Sequence, residues 1–104
     1  MSRTIRVFWP HTASGWHNFN WNGVIHFNSV VHISVSEGRI DRGAIAGLSG
    51  IAHVRGDAVI GVRNINPHEN GVEFYLEVGW SSPLNITLDI TVLDPPEQAF
   101  VVAG

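Results

Sequence analysis

The chain has 104 residues, with six arginines, no lysine, no cysteine and nine acidic side chains, for a net charge of −3. That length fits one domain, residues 1–104, folding round a single core, and the lack of cysteine removes disulfides, thiolate nucleophiles and cysteine zinc sites. No basic stripe serves phosphates or an anionic membrane surface, and no apolar run approaches the ~20 residues that span a bilayer, which argues against nucleic acid and membrane insertion.

Met1-Ser2-Arg3 runs straight into an alternating segment with no apolar stretch of a signal peptide, so export would need a leaderless route or a leader outside this sequence. Ile5, Val7 and Trp9 alternate with Arg6 and Phe8 and predict a strand that Pro10 stops. The stretch GWHNFNWNG, Gly15 to Gly23, crowds rings and amides together without clean alternation. Ile25 and Phe27 against His26 and Asn28 predict a second strand, and Val31, Ile33 and Val35 against His32, Ser34 and Ser36 a third, with Glu37-Gly38 as a turn. Gly43, Gly47, Gly50 and Gly56 punctuate the next segment, which reads as a short edge strand and a loop. A strand from Ala58 to Ile65 precedes NPHENG, Asn66 to Gly71, as a turn. Val72, Phe74, Leu76, Val78 and Trp80 alternate with Glu73, Tyr75 and Glu77, and Ile86, Leu88, Ile90 and Val92 alternate with Thr87, Asp89 and Thr91. These two runs predict a hairpin with one apolar and one wet face. Six or seven antiparallel strands without a helical period predict an all-β fold, a two-sheet β-sandwich.

Little of the chemistry has a motif. The six histidines show no paired ligand spacing, and no serine sits in a G-x-S-x-G elbow. Glu73 and Glu77 share a strand face with Asp89 expected on the neighbouring strand, the raw material of a small glycan hydrolase or a solvated face. Asp41, Asp57 and Asn64 leave a calcium site open. Asn85-Ile86-Thr87 matches the N-glycosylation pattern inside an expected strand. The rings and amides are more specific. A sugar offers C–H patches between hydroxyls, which suit a flat ring beside fixed amide donors and acceptors. Trp16, His17, Asn18, Asn20, Trp21 and Asn22 form one such group, and Asn66, His68, Asn70 and Trp80 another. Alternatively Trp16, Phe19 and Trp21 cap the core while their polar neighbours point outward; Trp9 and Phe74 read as core.

From Val24 to Asp94 the sequence resembles the small β-sandwich lectins of the H-type class, through VIHF, VVHISVSEGRID, AVIGVRNINPHENGV, VGW and NITLDITVLD. Its length and lysine-free, tryptophan-rich character are also similar to the slime-mould hemagglutinins, whose sandwich is compared with legume lectins. The resemblance implies carbohydrate binding without catalysis, displayed on an oligomer that cross-links cells. It places Trp80 on a sugar-holding tryptophan. A neighbouring histidine of the class falls on Ser81, and an arginine falls on Ala58.

The expectation is therefore a secreted lectin that recognises cell-surface glycans and needs no cofactor. A structural or protein-interaction module stands as the alternative and a small hydrolase as a third.

Overall fold

The computed structural model describes residues 2–45 and 48–104. Among these described residues there are seven strands and no helix: β1 (Arg3–Thr12), β2 (Gly15–Asn20), β3 (Val30–Ile45), β4 (Leu48–Val54), β5 (Val59–His68), β6 (Gly71–Gly79) and β7 (Leu84–Leu93). They form two antiparallel sheets, one of four strands in the order β1-β7-β3-β4 and one of three in the order β2-β6-β5. This is the all-β, two-sheet arrangement that the alternation predicts.

The core lies between the two sheets, and the most regular sequences occupy their centres. Val72, Phe74, Leu76 and Val78 of β6 meet Ile86, Leu88, Ile90 and Val92 of β7, all buried. A central strand loses water from its whole inward row, so strict period-two alternation is what such a strand needs. The two strands are not a hairpin, as their proximity in sequence suggests. β6 pairs with β2 and β5, β7 pairs with β1 and β3, and residues 80–83 carry the chain from one sheet to the other. Face-to-face burial of two apolar rows removes more surface from water than edge pairing would, and it leaves both wet faces outside.

Other expectations change for local reasons. Residues 21–29 form no strand. Gly23 at φ 76° turns the chain, Ile25 drops into the core, and Trp21 O accepts from the amides of Val24 and Ile25. β1 continues past Pro10 because β1 is an edge strand, where a missing N–H costs no ladder bond. A bulge between Trp9 and Thr12 absorbs the proline, with His11 at φ 46° donating its backbone N–H to Asn85 Oδ1 at 3.2 Å. β5 runs through Asn66 to His68, so the turn of NPHENG is only Glu69-Asn70.

The chain does not turn at Glu37-Gly38 either; β3 passes through both and pairs with β4 from Glu37 onward. The segment from Ile40 to Gly56, expected as a short edge strand and a loop, instead extends β3 to Ile45 and supplies the edge strand β4, with residues 46–47 outside the described residues. The β3–β4 hairpin bends over the outer face of its own sheet. Arg6 on β1 donates to Ile51 O of β4 at 3.2 Å, and Thr87 on β7 donates to Ala52 O at 2.9 Å. In a flat sheet, strands three places apart stand roughly 14 Å from each other, beyond an arginine's grasp. Gly38 permits the bend, because a Cβ there would lie 1.8 Å from Thr87 Oγ1 and 2.8 Å from the Thr87 backbone nitrogen.

Gly38→Ala is accordingly expected to destabilise the fold by about 1–3 kcal/mol, since the backbone nitrogen cannot move aside as a side chain can. Gly61→Ala, where nothing lies within 4 Å of an added Cβ, is expected to stay within about 1 kcal/mol of the parent. Urea unfolding of the two variants beside the parent checks both.

Candidate functional site

The outer face of the three-stranded sheet gathers side chains from both groups that the sequence suggested. β2 alternates after all, with His17 and Phe19 directed inward and Trp16, Asn18 and Asn20 exposed. Across β6 and β5 the register places Trp16 beside Tyr75 and Arg63, Asn18 beside Glu73 and Asn66, and Asn20 beside Gly71 and His68. The odd spacing from Arg63 to Asn66 shares a face only because of a bulge between them, with Asn64 at φ 53°. Ile65 then packs against the core.

Hydrogen bonds knit these rows into one polar surface. Asn18 Nδ2 donates to Asn20 Oδ1 at 2.8 Å, and Asn18 Oδ1 lies 2.6 Å from His68 Nε2, with Gly71 between the strands that carry them. Gly71 makes that crossing possible, because a Cβ there would come within 2.7 Å of both Asn20 Oδ1 and His68 Cε1. Asn66 Nδ2 donates to Glu73 Oε1 at 3.1 Å, and Arg63 pairs with Glu77 at 2.9 Å. At one end of the surface Trp16, 59% exposed, stands edge-on to Tyr75 with ring centroids 5.7 Å apart.

The remaining expected site residues have other positions. His17 packs between Trp9 and Phe74, at 5.4 and 6.3 Å, with Nε2 3.2 Å from Ala13 O. Trp21 is half-buried against the core with the Arg3 guanidinium 5.4 Å over its ring. Asn70, at φ 67°, fastens the turn to the 21–25 loop through Trp21 N, Ile25 O and, by its side chain, Gly23 N. Asn22 lies exposed in that loop. Trp80, 53% exposed, follows the end of β6 and is not in a strand. Thus Trp16, Asn18, Asn20, Asn66 and His68 share one face, while His17, Trp21, Asn22, Asn70 and Trp80 do not. Tyr75, Glu73 and Arg63 complete the face. Alternation along β6 marked Tyr75 and Glu73 as outward, but the pairing of β6 with β2 had no signal in the sequence. Asp89 is not on a strand next to Glu73 and Glu77; it lies in the other sheet.

The outer face of the four-stranded sheet carries a second polar cluster under the bent hairpin. Ser36 Oγ hydrogen-bonds His53 Nδ1, and His53 Nε2 bonds Asp89 Oδ2 at 2.9 Å. Arg6 grips the two oxygens of Asp89 at 2.7 and 3.0 Å, a bidentate pair. Beside Ser36, a cleft of about 200 Å³ opens between β3 and the β4–β5 connection. Among the described residues, no three histidine, aspartate or glutamate side chains converge to hold a metal ion. No family model matches the chain, nor does any curated protein or any solved structure.

The Arg6 hydrogen bonds, aided by His53, hold the Asp89 carboxyl at about 2. A carboxyl depressed on folding stabilises the fold above its unfolded pKa, near 4, and loses that contribution as the pH falls through about 2. With Arg6 half-exposed, solvent screening leaves roughly 1–2 kcal/mol. Asp89→Asn is expected to lose that amount at pH 7 and to show a flatter decline between pH 4 and 2, read by urea unfolding at each pH.

Proposed function

We propose that the outer face of the β2-β6-β5 sheet binds carbohydrate without breaking a bond in it, and that the protein is a lectin acting on glycans outside the cell. The observation that carries this reading is the exposed indole of Trp16, propped by Tyr75, at the edge of the hydrogen-bonded surface formed by Asn18, Asn20, His68, Asn66 and Glu73. The ring takes the C–H face of a pyranose. The amides, which donate and accept, and the Glu73 carboxylate, which accepts, take its hydroxyls. Side chains already held by one another lose little freedom on binding, which favours a weak ligand. A shallow site of this kind gains strength from several copies, so a homo-oligomer suits an agglutinin.

A second reading, an assembly module, is favoured by Phe100, Val101 and Val102, which lie exposed on a segment beyond β7 that belongs to no strand.

On a glycan array, with and without a chelator, the folded protein is expected to bind one related set of glycans in both conditions. Trp16→Ala is expected to weaken binding roughly tenfold, the equivalent of about 1.4 kcal/mol, with the thermal midpoint retained. Trp80→Ala is expected to bind like the parent. A silent array from folded protein that sediments as an oligomer would replace this reading with assembly.

A further inference from the structure

We propose that Ser36, His53 and Asp89 form a nucleophilic relay that hydrolyses short-chain acyl esters at the cleft beside Ser36. The three residues come from β3, β4 and β7, lie 17 and 36 positions apart, and meet only because the hairpin bends at Gly38. This site is on the opposite sheet from the proposed sugar surface and is independent of it.

The proton inventory is that of a serine hydrolase. One imidazole nitrogen faces a hydroxyl and the other a carboxylate, so a neutral His53 protonated at Nε2 donates to Asp89 and accepts the Ser36 proton at Nδ1. Which nitrogen faces which partner does not alter the count. The Ser36 hydroxyl has a second acceptor, Glu37 O at 2.8 Å, and the relay uses the rotation aimed at His53. Asp89 fixes the tautomer, and its two bonds from Arg6 keep it ionised and in place. His53 and Asp89 are respectively 31% and 22% exposed at their side chains, shielded enough to hold their geometry and open enough to exchange protons.

The cleft supplies the rest. Val35, Val54, Ala58 and Ile60 line it with Ser36, and its size suits an acyl group of a few carbons. Arg55 and Glu37 also line it, and of the two charged side chains Arg55 is the one that can favour a developing oxyanion. Ser36 Oγ bonds to the ester carbonyl carbon while its proton passes to His53 Nδ1. The carbon–oxygen bond to the alcohol then breaks, and His53 returns the proton to the departing oxygen. Water repeats the sequence on the acyl-serine, releasing the carboxylic acid and restoring Ser36.

The test uses the full chain, a fluorophosphonate as serine-directed probe and p-nitrophenyl acetate as substrate. Expected are one adduct per chain, mapped to Ser36 by peptide mass spectrometry, and ester turnover reduced at least 100-fold in Ser36→Ala and in His53→Gln, each checked for an intact fold. An unlabelled Ser36 in folded parent protein overturns the proposal, as does turnover unchanged in folded Ser36→Ala, which would assign the background to other histidines. If Ser36→Ala fails to fold, the adduct on the parent decides alone. An overturned relay leaves Ser36, His53 and Asp89 as a clamp for the hairpin.

Discussion

The mutual burial of β6 and β7 is the constraint on which the rest of the molecule depends. Each is the central strand of its sheet, and each turns an unbroken apolar row toward the other. With no disulfide to help, these rows and Ile25 supply the fully desolvated part of the core. Once they face each other, every odd-numbered residue of β6 from Glu73 to Glu77 and every odd-numbered residue of β7 from Asn85 to Thr91 is directed to an outer face. The two polar surfaces are thus a by-product of the same alternation that makes the core.

What was legible in the sequence follows from this. Alternation in β6, β7 and the first half of β3 identified strands, faces and the sandwich, because a two-sided environment leaves a period-two trace. Pairing leaves no such trace. Nothing in Val72–Trp80 says that its neighbour is GWHNFN rather than the strand that follows, so the two ring-and-amide groups read as separate sites. Bulges hid more: Arg63 and Asn66 fall on opposite faces of an ideal strand and on one face of the real one. Residues 24–28 misled in the other direction, since their short alternation belongs to a turn that drops Ile25 into the core. The Ser36–His53–Asp89 cluster was invisible for a further reason. It needs a hairpin bent through Gly38, and a glycine in a strand reads in sequence as a turn.

The two outer faces differ in how their charges are arranged. On the four-stranded sheet Asp89 is held by Arg6 and His53 together, under a cover of backbone from β4, and its acidity is raised accordingly. On the three-stranded sheet Glu73 and Glu77 bond an amide and an exposed arginine, and the surface stays open. A covered, polarised cluster suits proton transfer. An open surface of amides and carboxylates offers donors and acceptors side by side. Glycines serve both in the same way, Gly38 under Thr87 and Gly71 under His68 and Asn20, by letting a side chain cross a strand at backbone height.

The passage of the chain between sheets has a kinetic corollary. Of the six connections only β3–β4 and β5–β6 stay within a sheet; the other four cross from one to the other. β1, at the start of the chain, finds its partner in β7 near the end, and β2 finds its partner in β6. The four-stranded sheet therefore waits for the last strand and the three-stranded sheet for β6, so neither half of the chain contains a closed core. Folding must wait for loops of most of the chain's length to close, which places it among the milliseconds-to-seconds class of β proteins. During that wait the apolar rows of β6 and β7 stay exposed, and a nascent chain would emerge almost entirely before its core could form.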